Sequence, residues 1–262
     1  MFAYPVFTSK RFWAIIGILT VAIWFNRQKS LTFSVERISS TLTPRAEWAV
    51  TLSDKERGAI RPILGQTYRY LASGTQSYAF LSDDGKYVLK FFRMKHLLPS
   101  LGDYVKGRVE RRRSNLAAIF AAHKLAYEAL REESGLVFIH LNKTDDLNTQ
   151  MAIVDRLGRR HLIDLDKFEF VVQERAELLF SRLRRIDRDK ARQEADAVLS
   201  LVRRRIAKGF ADQDKAVSHN YGFVGDRPIQ IDIGRVFQGS KPGEYERIEK
   251  RIARWFDENP SS

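Results

Sequence analysis

Between Gly209 and Phe237 the sequence gathers Asp212, Asp214, Asn220 and Asp232, four side chains offering hard oxygen ligands. Ile229-Gln230-Ile231-Asp232-Ile233 alternates with period two, so the three isoleucines share one strand face and Asp232 takes the other. Gly234 follows at once and lets the backbone turn. A carboxylate at the end of an apolar strand, with an asparagine on the loop before it, is a donor pair suited to Mg²⁺ bridging phosphate oxygens. The same residues would also serve a surface hairpin whose Asn and Asp shape turns, and the pattern alone leaves both open. Far upstream, Lys90 lies in Tyr87-Val88-Leu89-Lys90-Phe91-Phe92 and shares its face with Val88 and Phe92. Such a lysine either snorkels to solvent or meets an anion.

The elements that would position these groups are legible in outline. Ser53-Asp54-Lys55-Glu56 has capping-box spacing and starts a short helix running to about Leu64. Tyr68–Leu71 and Tyr78–Leu81 flank the small-residue loop Ala72–Ser77, and Asp83-Asp84-Gly85-Lys86 turns the chain into the Lys90 strand. Residues 104–133 are basic with a helical apolar period, Leu136–Leu141 and Met151–Leu157 are strands, and a short strand follows at His161–Leu165. Phe168 to Lys208 reads as mostly helical and stops at Gly209, and Glu244–Asn259 gives a last helix.

This order, loop hairpin, strand lysine, helix, strands, Asp/Asn loop and Asp-x-Gly, resembles the protein-kinase-like superfamily in a minimal, divergent form. The resemblance covers roughly residues 68–237. Leu71-Ala72-Ser73-Gly74-Thr75-Gln76-Ser77-Tyr78-Ala79-Phe80 looks like the phosphate-covering loop, and Val88-Leu89-Lys90 like the third-strand lysine motif. Asn220 with Asp232-Ile233-Gly234 looks like the two metal-holding elements. The resemblance implies an α+β, two-lobed fold: an N-terminal antiparallel sheet with one long helix, and a small, mostly helical C-terminal lobe. It implies ATP and Mg²⁺ as cofactors, Gly74, Thr75, Gln76, Ser77 and Lys90 on the nucleotide, and Asn220 and Asp232 on the metal. Asp214, or alternatively Asp212, would orient or deprotonate the attacking hydroxyl. The sequence departs from the family in carrying one loop glycine, Gly74, and no His-Arg-Asp. Lys215 stands where the aspartate five positions before the asparagine is usual. Glu110 and Glu128 are both open as the helix glutamate that pairs with the lysine. The short stretch after Asp232 leaves no room for a lobe that docks folded protein substrates.

The implied divisions are an apolar anchor segment at 1–30, a linker and short helix at 31–67, a kinase-like N-lobe at 68–166 and a reduced C-lobe at 167–262. Residues 12–25 are uncharged and bracketed by basic residues, with Trp13 and Trp24 near the ends. This stretch is short for a bilayer span and reads as an uncleaved anchor leaving the main domain cytoplasmic, or else as a buried core helix. The protein would then be membrane-associated, or cytoplasmic if the segment does not anchor. Among 262 residues, 45 Lys+Arg against 32 Asp+Glu give a net charge of +13, which favours anionic partners such as a nucleotide, an anionic lipid or a glycolipid surface. The chain has no cysteine, which excludes disulfides and a thiol nucleophile, and its five histidines show no zinc-ligand spacing. Three functions compete: an ATP-dependent phosphotransferase acting on a small-molecule, sugar or lipid hydroxyl, a pseudokinase scaffold, and a nucleic-acid binder. The last would use Arg111–Arg113, Arg182, Arg184, Arg185 and Arg203–Arg205, runs that read better as solvated helix faces than as a recognition surface.

Overall fold

A computed structural model describes residues 33–259. Contacts divide the chain into Met1–Ser34 and Val35–Ser262, and every element below belongs to the second unit. The apolar stretch 12–25 lies outside the described residues. Among the described residues no helix is long and apolar enough to cross a membrane.

The chain opens with α1 (Val35–Ile38), a 3₁₀ turn at Ala46–Trp48, and α2 (Asp54–Leu64). Helix α2 starts where the Ser53/Glu56 capping box places it, with both reciprocal bonds made. The residues ahead of it are packed rather than loose, because Trp48 is buried and meets the Phe120 ring edge-on at 4.9 Å. Strands β1 (Tyr68–Ser73), β2 (Ser77–Ser82) and β3 (Tyr87–Phe92) form an antiparallel meander. The meander turns at Gly85, whose φ of 71° a glycine adopts without strain. Short helices α3 (Met94–Leu97) and α4 (Leu101–Val105) lead into the long α5 (Val109–Ala129) and α6 (Arg131–Ser134). Then come β4 (Leu136–His140), β5 (Gln150–Val154), β6 (Arg160–Asp164) and β7 (Phe170–Glu174). All seven strands join one sheet in the order β4-β7-β3-β2-β1-β5-β6, antiparallel throughout except where β1 runs parallel to β5.

Two expected elements differ. Ile229–Ile233 is not one strand, since the strand there ends at Gln230 and Ile231–Ile233 leave the sheet, with Asp232 exposed. Phe168–Lys208 is not mainly helical from its start, since β7 and the short β8 (Glu177–Leu178) come before α7 (Leu179–Leu183) and α8 (Arg188–Ala207). Phe170-Val171-Val172 is buried on both faces between β3 and β4, and such a run has no period to separate strand from helix. The sheet therefore takes a strand from beyond residue 166.

The second half closes with β9 (Phe210–Asp212), the hairpin β10 (Tyr221–Val224) and β11 (Arg227–Gln230), β12 (Val236–Gln238), and α9 (Glu244–Glu258). Gly209, at φ 83°, ends α8 as a left-handed cap. Two cores result. One lies between the sheet and α5 and takes in Phe92, Phe120, Ile233 and Val236. The other joins α7, α8, β10 and α9 around Trp255, which stacks on Phe180 at 5.7 Å. The α+β class is as expected.

Strand β10 is held on both sides, by β11 and by β8, and Gly222 sits at the crossing. A Cβ there would overlap the Glu177 carbonyl oxygen and come within 2.9 Å of Ile231 Cδ1. Gly222→Ala should lower the unfolding free energy by about 1–3 kcal/mol in a urea titration, with the slope unchanged.

Candidate functional site

Lys90 is placed by β3, a central strand between β2 and β7. Two residues along, Phe92 packs on α5, with ring centroids 5.0 Å from Phe120 and 5.2 Å from His123. Alternation puts Lys90 on that same face. Its Nζ donates to Gln173 Oε1 of β7 at 2.7 Å and to the Ile231 carbonyl at 3.0 Å. No carboxylate lies within ion-pair distance of it among the described residues. Burial lowers the Lys90 pKa, and the nearby Asp232 carboxylate offsets part of that shift.

Neither glutamate considered as the lysine's helix partner reaches it. Glu110 is exposed at the start of α5, and Glu128 pairs with Lys124 at 2.9 Å. The residue of α5 that does come near is His123, which is buried and has its Nδ1 bonded to the Ile119 carbonyl at 2.8 Å. That carbonyl can only accept, so Nδ1 carries the proton. Burial pushes the His123 pKa down to about 4, with the Lys90 charge adding, so the ring is neutral at pH 7.

The hairpin meets Lys90 through one residue. The Ile231 carbonyl takes the lysine's hydrogen bond, while the Ile231 N–H donates to the Asn220 carbonyl at 2.7 Å. Lys90, Asn220 and Asp232 are thus linked through a single residue, Ile231. Asp232 is exposed, with Oδ1 accepting from Gly234 N at 3.2 Å. Asn220 is 3% exposed, and its Nδ2 is buried without a partner. The amide's other atom is a hard carbonyl oxygen, so the position can supply a metal ligand. Among the described residues no group of three His, Cys, Asp or Glu could hold a metal ion by itself. The donor set fits Mg²⁺ arriving with phosphates, which needs only one or two protein oxygens.

The expected phosphate-covering loop is tighter than its sequence suggests. Strands run to Ser73 and from Ser77, leaving Gly74, Thr75 and Gln76 as the turn, with Gly74 N bonded to Ser77 O at 2.9 Å. Arg93 braces it by donating to the Gly74 carbonyl at 2.7 Å. Gln76 reaches across to Gly234, where a Cβ would lie 2.6 Å from its Oε1. The Gln76 side chain is flexible at that end, so the contact brings the two loops together without by itself demanding glycine.

The two candidate bases have different surroundings. Asp212 is buried at the end of β9, accepting from Asp214 N and from Gln230 Nε2, each at 2.8 Å. Burial pushes its pKa up to about 6, against the pull of its hydrogen bonds and of Arg205. Asp214 is half-buried, and its Oδ1 accepts from Ala216 N at 2.8 Å in a local turn. Lys215 is exposed.

The basic runs do not form one surface. Arg205 is buried in an ion pair with Glu244 and donates to Gln230 Oε1 at 3.0 Å. Arg182 clasps Glu194 and Asp226, and Arg185 pairs with Glu177.

Sequence does not single out Gln173, His123 or Gln230, and it places Arg205 only within a basic run. The signal for the two glutamines was present. Each directly follows a buried apolar strand residue, Val172 or Ile229, and a buried amide must find partners. Gln230 Nε2 donates to Asp212 Oδ2 and also to the Asp232 carbonyl at 3.0 Å, tying the two aspartates together.

No family model and no curated protein matches this chain. Among solved structures it is similar to WbdD, a bifunctional kinase-methyltransferase. One WbdD crystal structure gives 15% identity over 72% of this chain and 37% of that chain, with a TM-score of 0.41. It is also similar to the Rio2 kinase–ADP/Mg²⁺–phosphoaspartate complex from Chaetomium thermophilum, at 20% identity over 78% and 60% of the two chains, with a TM-score of 0.39. A third likeness is to the streptomycin–ATP–APH(2")-IIa ternary complex, at 12% identity over 82% and 86%, with a TM-score of 0.30. The chain spans little more than a third of the WbdD chain.

The two perturbed groups bend the pH dependence of stability in opposite senses. Folding depresses His123 to about 4, so its contribution is lost as pH falls from the ordinary histidine range toward 4. Folding raises Asp212 to about 6, so the folded state holds an extra proton and gains stability over part of the same descent. Chemical denaturation between pH 4 and 7 should show a shallower acid loss in His123→Gln and a steeper one in Asp212→Asn.

Proposed function

We propose that Lys90, Asn220 and Asp232 form the phosphate end of an ATP and Mg²⁺ site, and that the protein transfers a phosphoryl group to the hydroxyl of a small molecule, sugar or lipid. One observation carries this reading: a desolvated ammonium bonded to two neutral oxygens, a short distance from an exposed carboxylate and a buried amide with an unpartnered atom. Leaving a cation in that setting costs free energy that a polyphosphate would offset. Lys90 would bind the α/β-phosphates, Asp232 and Asn220 would hold the metal, and Gly74–Ser77 would cover the phosphates. Bound Mg²⁺ would neutralise charge on the phosphate oxygens. In the transfer, the acceptor oxygen bonds to the γ-phosphorus as the bond from that phosphorus to the β–γ bridging oxygen breaks. ADP leaves with the electron pair, and the hydroxyl proton passes to a carboxylate, for which Asp214 is the better placed because Asp212 is enclosed.

A nucleotide-binding scaffold without turnover is the second reading. It is favoured by the enclosure of Asp212 and by the turn bond that engages Asp214 Oδ1. Nucleotide binding without phosphate transfer or ATP hydrolysis would select it.

Because folding depresses the Lys90 pKa, removing the charge relieves a cost. Lys90→Met should leave the unliganded protein as stable as the parent or more so, by up to about 1–4 kcal/mol. The same change should abolish the rise in melting temperature that Mg²⁺-ATP gives the parent chain, and Asp232→Asn should remove the Mg²⁺ dependence of that rise. A parent protein that no nucleotide stabilises would sink both readings.

A further inference from the structure

A second cleft, of about 620 Å³, runs between α5 and residues 234–238 and is bounded by Thr75 and Gln76. Its lining carries Arg111, Arg112, Arg235 and His96, and no carboxylate. Arg112 is partly engaged, donating to the His96 carbonyl at 3.0 Å and lying 3.5 Å from Asp103. Arg111 and Arg235 have no ion pair or side-chain hydrogen bond among the described residues. Local stability does not account for these charges. Arg111 and Arg112 sit in the first turn of a 21-residue helix, at the positive end of its dipole, where cations are disfavoured. An anion between the walls would oppose both the dipole and the guanidinium charges.

Position adds to charge. The cleft is lined by Gly234, two residues from Asp232, and by Gln76 of the loop that touches Gly234. The α5 wall offers Ala118, Ala121 and Ala122, whose short side chains leave room beside the arginines. We infer that this cleft is the acceptor subsite of the transfer proposed above, and that its acceptor is an alcohol bearing a phosphate or carboxylate group held by Arg111 and Arg235. The acceptor role rests on the phosphotransferase reading, whereas the anion preference rests on the cleft alone. The chemistry is shared by a soluble phosphorylated alcohol and by a lipid headgroup.

The test uses the full chain with two probes and three variants. Glycerol 3-phosphate is titrated by calorimetry, and sedimentation is measured with phosphatidylcholine vesicles that contain or lack phosphatidylglycerol. Mg²⁺-ATP stabilisation is followed in parallel. Arg111→Gln with Arg235→Gln should weaken binding of the phosphate-bearing probe at least roughly tenfold, as loss of charge-assisted bonds requires, while Mg²⁺-ATP stabilisation persists. Lys90→Met should do the reverse. Arg111→Lys with Arg235→Lys should recover part of the probe affinity. Binding of glycerol 3-phosphate identifies a soluble acceptor class and binding of the anionic vesicles alone a lipid-borne one, and either supports the subsite. Probe binding that ignores the double substitution, or no binding of either probe, overturns it. Arginine-dependent probe binding in a protein that Mg²⁺-ATP does not stabilise upholds the anion site and removes its acceptor role.

Discussion

The Asp232 hairpin is held by one buried cation. Arg205, 1% exposed, pairs with Glu244 at the start of α9 and donates to Gln230, which in turn donates to Asp212 and to the Asp232 carbonyl. Asp212 N donates to Glu244 Oε2 at 3.2 Å, closing the circuit. Two carboxylates thus share one guanidinium inside the protein, at Arg205. For Asp212, burial, with Glu244 adding to it, raises the pKa. A buried network of this kind contributes little net stability when complete, but leaves a strongly unfavourable charge or donor when any member is removed. Its value lies in position: α8, β9, β11 and α9 are fixed to the backbone that carries Asp232.

From that fixed hairpin the connection to the sheet is narrow. Ile231 bonds Asn220 with its N–H and Lys90 with its carbonyl, and Ile233 and Val236 then enter the core beneath α5. Gln173 makes a parallel link, with its Oε1 on Lys90 and its Nε2 on the Ser134 carbonyl at 2.5 Å. Sheet, α5 and hairpin therefore share a polar seam lined by amides and a neutral imidazole. A bound anion at Lys90 would act on all three at once.

Much of this was legible in the sequence, for identifiable reasons. The capping box at Ser53, the Asp84-Gly85 turn and the Gly209 stop are local devices, and local devices can be read locally. Residue type and order single out Lys90, Asn220 and Asp232 together, and the fold links them through Ile231. The β7 strand was missed because Phe170-Val171-Val172 is buried on both sides and shows no period. Arg205 was taken for part of a solvated run, since nothing near it in sequence reveals that Glu244 will meet it. His123 is hidden for the opposite reason: the resemblance points to glutamates on its helix, while the side chain near Lys90 is an uncharged one.

That substitution of amide and imidazole for a carboxylate has an electrostatic consequence. A lysine paired with glutamate presents a nearly cancelled dipole to its surroundings, and an incoming anion must compete for it. Here Gln173 and the Ile231 carbonyl orient the ammonium without neutralising it, and His123, held near 4, adds no charge of its own at neutral pH. The Lys90 charge is left without a carboxylate partner among the described residues, and burial depresses its pKa. Asp232 balances part of that charge from the solvent side. On the reading proposed above, a polyphosphate lying between sheet and hairpin would match the charges that each leaves open.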